Sequence, residues 1–190
     1  MHALVLDSLT PRGVSELCAQ KLGTRRVTQT QRRLDALAAL GWLAAQPIVN
    51  AARVGLIGWS NGGSSVLAAT NRLHAEVDAA AVKPAFAVAF YPGREAEAAI
   101  GYRPTAELLM LVGEADDWTP AEPCRRLAAQ TAPQIEVYPG AHHGFDSAAP
   151  LRVRKDVPGG VRPGQGVTVG GNAVAMQRSR ERLVAFLAAH

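Results

Sequence analysis

The chain has 190 residues, of which 48% are hydrophobic, and this is enough for one globular domain with a sizeable core. Its longest apolar stretches are far shorter than a membrane span, so no membrane partner is expected. The formal net charge of +4 comes from scattered arginines without accompanying aromatic residues, so nucleic-acid binding is not expected either. We therefore predict a single domain over residues 1–190.

Apolar runs that alternate with helical patterns indicate the fold class. Strands are predicted, in chain order, at residues 3–6, 54–57, 85–90, 108–112 and 135–138. Helices are predicted at residues 29–45, 61–74, 95–100, 120–130 and 173–189. Continuous apolar strands are typical of a parallel sheet that is buried on both faces. The sequence therefore predicts an α/β protein with a mostly parallel sheet and helices on both faces.

The first predicted helix and the segment 147–171 allow two further predictions. In the first helix, apolar residues at helical spacing, among them Leu34, Leu37 and Leu40, are expected to face inward. Arg32, Arg33 and Asp35 lie off this stripe. Residues 147–171 are rich in Gly, Pro, Arg and Val and have no helical pattern. A loop this long is usually functional or mobile, so a flap over a pocket and a plain surface excursion both stay open.

The segment Gly-Trp-Ser-Asn-Gly at residues 58–62 fits the pattern G-x-S-x-G, between a predicted strand and a predicted helix. This is the pattern of a nucleophile elbow, in which a strained strand-to-helix turn exposes the serine hydroxyl. Ser60 is therefore the candidate nucleophile. The backbone N–H of Asn61, at the start of the following helix, is the candidate donor to an oxyanion.

Candidate acids and bases follow two later strands. Asp116 and Asp117 come after the strand at 108–112, and His142 and His143 come after the strand at 135–138. The carboxyl ends of parallel strands lie at one edge of the sheet, so these side chains are expected near Ser60. Asp116 is nearer its strand, whereas Asp117 is suited to cap the next helix. The residues alone leave both pairs open.

Three segments resemble the signature segments of the dienelactone hydrolase family. They are residues 58–63 (GWSNGG), 113–120 (GEADDWTP) and 138–145 (YPGAHHGF), and the resemblance covers nearly the whole chain. It implies the α/β-hydrolase fold, with Asp116 as the acid and His143 as the base. The founding members of the family use cysteine as the nucleophile, so Ser60 implies a serine esterase that acts on small esters or lactones.

The resemblance also implies the remaining parts of the site. Arg12 is an approximate match to the family's substrate-binding arginine and would hold a substrate carboxylate. Trp59, beside the serine, is a second candidate substrate-binding residue. No metal and no organic cofactor are implied, and the expected partner is a small-molecule ester or lactone.

One departure from the family pattern concerns the start of the chain. Residues 3–6 correspond to the family's fourth strand and residues 54–57 to its fifth, so the strand between them, with the second oxyanion loop, would precede Met1. We therefore expect an N-terminally shortened chain. An incomplete oxyanion hole also leaves a non-catalytic binding domain as the alternative function.

The expected shortening of the chain also affects the prediction of its cellular location. The chain as it begins at Met1 has no signal peptide pattern, which implies a cytoplasmic protein. A signal peptide lost upstream would instead imply a periplasmic or secreted protein. A disulfide between Cys18 and Cys124 would then be reasonable, whereas two unpaired thiols are otherwise favoured.

Overall fold

A four-stranded parallel sheet forms the centre of the fold, in a computed structural model that describes residues 2–21, 23–93, 95–131 and 133–190. The strands lie side by side in chain order, as β1 (Leu56–Trp59), β2 (Phe86–Phe90), β3 (Glu107–Gly113) and β4 (Gln134–Tyr138). The two inner strands are buried almost throughout, which is why their sequences are continuous apolar runs. The first strand begins two residues later than the predicted 54–57.

Six α-helices accompany the sheet. They are α1 (Gln29–Ala44), α2 (Asn61–Thr70), α3 (Ala75–Ala79), α4 (Glu95–Ile100), α5 (Ala121–Thr131) and α6 (Ala173–Ala188). The predicted helix at 61–74 is too long, because Asn71 is extended and fully buried. Its side-chain amide donates to the Gly101 carbonyl and to the Glu97 carboxylate, and these bonds replace a further helical turn.

Helices cover both faces of the sheet, and the predicted fold class is confirmed. On one face, Leu67 of α2 and Leu127 of α5 pack with Met110 of β3. On the other face, Phe186 of α6 packs with Val88 of β2. Helix α1 contacts α2. None of the described helices has both the length and the apolar composition needed to cross a bilayer.

A small second sheet lies within the long loop. Strands β5 (Arg152–Arg154) and β6 (Val167–Val169) pair as an antiparallel ribbon, in which Val167 is fully buried. The sequence predicted no regular structure here, because three-residue strands among glycines and prolines give no periodic signal. We call residues 147–171 the hairpin loop.

The strand predicted at residues 3–6 is not formed, and this prediction is wrong. These residues lie outside both sheets, and the side chains of Leu4 and Val5 are 50% and 90% exposed. A strand needs a neighbour that accepts and donates its backbone hydrogen bonds. Among the described residues, no strand pairs with this run.

Arg33 also departs from its predicted place off the buried face of α1. It is only 6% exposed, and its guanidinium pairs with the carboxylate of Glu76, to which Nε donates over 2.9 Å. A buried cation requires such a partner. Leu34, which the apolar stripe placed inward, is instead 47% exposed.

Candidate active site

The turn that carries Ser60 connects β1 directly to α2. The serine has φ 52° and ψ −118°, a conformation that is uncommon for a residue with a side chain. The turn is so tight that a Cβ atom built on Gly58 would lie 2.3 Å from the carbonyl oxygen of Gly62. A Cβ built on Gly63 would lie 2.9 Å from the carbonyl oxygen of Phe90. Glycine at these positions therefore allows the turn that exposes the serine hydroxyl.

Ser60, His143 and Asp116 lie in one hydrogen-bonded line. Nε2 of His143 is 2.8 Å from Oγ of Ser60, and Nδ1 of the same ring is 2.9 Å from Oδ2 of Asp116. The histidine and the aspartate are 5% and 3% exposed. An imidazole between a hydroxyl and a buried carboxylate is the arrangement of a serine nucleophile with its base and its orienting acid.

Four contacts fix the carboxylate of Asp116. Oδ1 accepts the backbone N–H groups of Trp118 and Thr119, each over 2.8 Å. Oδ2 lies 3.0 Å from the hydroxyl of Thr119, besides its contact with His143. The Thr119 hydroxyl is in turn 3.1 Å from Nδ1 of the histidine, a contact that the sequence pattern did not reveal. The acid is therefore held in one orientation toward the base.

The structure distinguishes the two aspartates and the two histidines. Asp117 does not cap the following helix, because its Oδ1 accepts the backbone N–H of Thr168 over 2.8 Å and its Oδ2 lies 3.0 Å from the Thr168 hydroxyl. His142 is half-buried, and its Nδ1 has no hydrogen-bond partner among the described residues. Asp116 and His143 are thus the members of each pair that lie in line with Ser60.

The backbone around Asn61 has the features of an oxyanion site. Asn61 is the first residue of α2, and N–H groups in the first turn of a helix have no acceptor within the helix. The guanidinium of Arg32, on α1, donates to the side-chain carbonyl of Asn61. Burial lowers the pKa of Arg32, although the nearby carboxylate of Asp35 opposes this shift. The helix start and this cation both favour negative charge here.

A cavity of about 280 Å³ opens in front of Ser60 and His143. Tyr91 and Trp118 form one part of its wall, and their rings lie 4.5 and 4.6 Å from the imidazole of His143. The hairpin loop forms another part through Arg152, Arg154, Val169 and neighbouring residues. Of the two alternatives for this segment, the structure favours a wall over the pocket.

Contacts from both sides hold the hairpin loop in this position. Besides the two contacts of the Asp117 carboxylate with Thr168, the Asp117 carbonyl accepts the N–H of Val161 over 2.8 Å. The N–H of Gly170 donates to the His143 carbonyl over 3.0 Å. The guanidinium carbon of Arg154 lies 5.6 Å from the centre of the Trp118 ring. The loop is therefore tied to His143 itself and to the two residues that follow Asp116.

The two candidate substrate-binding residues lie elsewhere. The guanidinium of Arg12 forms two hydrogen bonds with the carboxylate of Asp35, over 2.7 and 2.8 Å, and it does not line the cavity. Trp59 stacks on Phe90 and donates its indole N–H to Asp146 over 2.7 Å, and it also lies outside the cavity wall. Neither residue therefore lines the cavity in front of Ser60.

The two cysteines lie apart, one of them in the wall of the cavity. Cys18 is a free thiol in the cavity wall, so it forms no bridge with Cys124, which is buried in α5. Among the described residues, no cluster of three or more His, Cys, Asp or Glu side chains has a geometry that would hold a metal ion.

A comparison with family models decides the classification. The model of the dienelactone hydrolase family matches residues 9–190. The chain belongs to the dienelactone hydrolase family. This agrees with the resemblance seen in the three segments around Ser60, Asp116 and His143. No curated protein matches the sequence.

Solved structures share the fold. A protein assigned as a dienelactone hydrolase from Klebsiella pneumoniae subsp. pneumoniae MGH 78578 is 20% identical with a TM-score of 0.60, over 87% of this chain and 63% of that one. A dienelactone hydrolase-like promiscuous phosphotriesterase from metagenomic libraries is 23% identical with a TM-score of 0.59, over 85% and 62%. An esterase from Thermogutta terrifontis is 21% identical with a TM-score of 0.56, over 87% and 67%. This dienelactone hydrolase family member thus spans less than two thirds of the first two structures.

Proposed function

We propose that this chain is a serine hydrolase that cleaves small carboxylic esters or lactones through an acyl-enzyme. The observation that carries the proposal is the continuous line of contacts from Asp116 to His143 to Ser60, at 2.9 and 2.8 Å. Membership of the dienelactone hydrolase family supports the same reaction class. The strained serine at a helix start supports its role as the nucleophile.

The first half of the reaction forms the acyl-enzyme. His143 takes the proton of the Ser60 hydroxyl through Nε2 as Oγ attacks the ester carbonyl carbon. Asp116 orients the ring and stabilises the imidazolium. The carbonyl oxygen becomes an oxyanion, to which the backbone N–H of Asn61 donates. The carbon–oxygen bond to the leaving group then breaks, and His143 returns its proton to the departing alkoxide.

The second half releases the acid. His143 removes a proton from a water molecule, which attacks the acyl carbon and again forms an oxyanion at the same position. The bond to Ser60 Oγ breaks, and the proton on His143 returns to the serine. The carboxylic acid leaves, and the enzyme is restored.

The cavity supports a small substrate. Its volume of about 280 Å³ is slightly below the usual range for small-molecule sites, roughly 300–1,000 Å³. Tyr91 and Trp118 offer apolar walls for a short acyl or alkoxy group. The esterase from Thermogutta terrifontis was solved with propionate bound, and a carboxylate of that size suits this cavity.

Hydrolysis of p-nitrophenyl acetate by purified variants tests the proposal. We expect the wild type to turn over this ester, and both Ser60→Ala and His143→Asn to lose nearly all of that activity. His142→Asn is the matched control, because it changes a neighbouring imidazole that does not contact Ser60. Undiminished turnover in Ser60→Ala, or no turnover by the folded wild type, would contradict the proposal.

A further inference from the structure

A second bond joins the two segments that carry Ser60 and His143. The indole N–H of Trp59 donates to Oδ2 of Asp146 over 2.7 Å. Trp59 directly precedes the serine, and Asp146 follows the histidine by three residues. The nucleophile turn and the histidine segment are therefore joined twice, once through the reacting side chains and once through this bond.

The other oxygen of the Asp146 carboxylate binds Tyr91. The phenol hydroxyl donates to Oδ1 over 2.8 Å. Burial, and then the negative charge of Asp146, raise the pKa of Tyr91, so its hydroxyl keeps its proton and remains a donor. Hydrogen bonds to a charged acceptor are the stronger class, and each oxygen of this carboxylate receives one.

Tyr91 extends this connection to the base. Its ring centre lies 4.5 Å from that of the His143 imidazole. Its backbone is held by an N–H bond to the Leu111 carbonyl over 2.8 Å and by the Thr119 hydroxyl, 3.0 Å from its own carbonyl. Its φ of 34° is rare for a residue with a side chain and persists only where surrounding contacts enforce it. The ring is thus a fixed surface against the base.

The turn that presents Asp146 is anchored as well. The N–H of Ser147 donates to the Gly144 carbonyl over 3.1 Å, which closes the turn. Phe145, inside the turn, is fully buried, with its ring centre 5.4 Å from that of Tyr91 and 5.1 Å from that of Tyr138. The carboxylate therefore cannot follow Trp59 or Tyr91 if either moves, and it holds both in place.

We propose that Asp146 is a positioning residue of the hydrolase, which sets the approach of Ser60 to His143 by holding Trp59 and Tyr91 at once. This inference rests on the proposed function. The carboxylate itself lies outside the cavity wall and acts on the alignment of Ser60 with His143, so its loss should slow the chemical step more than it weakens substrate binding. Misplacement of reacting groups by 1 Å costs about 100-fold in rate.

The test begins with Asp146→Asn and the hydrolysis of p-nitrophenyl acetate. An amide of the same shape accepts one hydrogen bond but presents its NH₂ group to the second donor. We expect kcat to fall about 10- to 100-fold, with KM within about threefold of the wild type. Glu122→Gln is the control, because this carboxylate is exposed on α5 and pairs with Arg126 of the same helix.

A double variant separates positioning from general loss of structure. Trp59→Phe removes the indole donor and keeps a ring to stack on Phe90. If the two residues act through their shared bond, Trp59→Phe combined with Asp146→Asn is about as slow as Asp146→Asn alone. Thermal unfolding of every variant is recorded alongside, and a cooperative transition shows that a slow variant is folded.

Each outcome decides one question. The positioning role is overturned if Asp146→Asn keeps the wild-type kcat, or if only its KM changes. It is also overturned if the two substitutions lower kcat independently in the double variant. The proposed function stands in each of these cases. If Asp146→Asn does not fold, Tyr91→Phe and Trp59→Phe each remove one donor, and wild-type kcat in both overturns the role. An inactive, folded wild type contradicts the proposed function, and the role of Asp146 falls with it.

Discussion

Nε2 of His143 lies 2.8 Å from Oγ of Ser60, although the two residues are 83 positions apart in the chain. Ser60 follows β1 and His143 follows β4, which are the opposite edge strands of the central sheet. Three strand spacings separate these edges, about 14 Å in all, so the segment after β4 must reach back across the sheet. Within this segment, the carbonyl of Ala141 accepts the N–H of Ala115 over 3.0 Å. This bond connects the segment after β4 to the residue directly before Asp116.

Replacement of the orienting carboxylate gives the first prediction. Asp116→Asn keeps the shape of the side chain but presents an amide to Nδ1 of His143, which favours the wrong tautomer of the ring. We expect kcat to fall roughly 1,000-fold or more, as measured with p-nitrophenyl acetate. Asp117→Asn is the matched control, and an equal loss in both variants would contradict the assignment of Asp116.

Asp117 gives a prediction about substrate binding instead. Its carboxylate contacts both the N–H and the hydroxyl of Thr168, and Asp117→Ala removes these anchors of the hairpin loop. We expect KM to rise about 10-fold and kcat to stay within about threefold, because hydrogen bonds to a charged group contribute about 1.5–3 kcal/mol. Hydrogen exchange should become faster in β6. Thr168→Val removes only the hydroxyl contact and should give an intermediate KM, whereas unchanged exchange in Asp117→Ala would argue against the anchor.

The ion pair between Arg12 and Asp35 predicts that part of the stability of the fold is lost at acid pH. Hydrogen bonding to Arg12 lowers the pKa of Asp35 in the folded protein. The pair therefore stabilises the fold above the unfolded pKa of about 3.9, and this stabilisation is lost as the pH falls through the lower folded value. We expect Asp35→Asn to lower the urea midpoint at pH 7, and we expect the difference to shrink as the pH falls below the unfolded pKa of about 3.9 and through the lower folded value. A difference of the same size at both pH values would contradict this account.

Two glycines predict opposite changes in stability on substitution by alanine. At Gly58 a Cβ would lie 2.3 Å from the Gly62 carbonyl oxygen, whereas at Gly41 in α1 it would meet nothing within 4 Å. We expect Gly58→Ala to reduce the free energy of unfolding by about 3 kcal/mol or more. Gly41→Ala should increase it by roughly 0.5–1 kcal/mol. Urea unfolding measures both, and an unchanged or increased free energy of unfolding in Gly58→Ala would refute the close packing of the elbow.

The sequence predicted the parts of this molecule that depend on local pattern. Apolar runs located β2 and β3 to within one residue, because strands buried on both faces need apolar side chains throughout. The shorter run of β4 was located to within one residue as well. The places of Ser60, of the pair Asp116 and Asp117, and of the pair His142 and His143 after their strands indicated which segments would meet, and the family resemblance then selected Asp116 and His143. Parallel strands bring their carboxyl ends to one edge, so this inference needed no knowledge of side-chain contacts.

The parts that the sequence did not predict depend on distant partners. Arg33 is buried because Glu76, 43 residues away, neutralises it. Residues 3–6 have strand-like side chains, but a strand also requires a neighbour. The link between Trp59 and Asp146 spans 87 residues and arises only when the elbow meets the histidine segment. No periodic pattern in a single sequence encodes such pairs.

The most direct test of the central claim is covalent labelling of Ser60 by an alkyl fluorophosphonate, followed by mass spectrometry of the intact protein and its peptides. A hydroxyl is reactive toward this probe only where a neighbouring base activates it. We predict one adduct per chain, located on the peptide that contains Ser60, with no adduct in Ser60→Ala and much slower labelling in His143→Asn. A folded wild type that stays unlabelled, or an adduct that persists in Ser60→Ala, would contradict the claim.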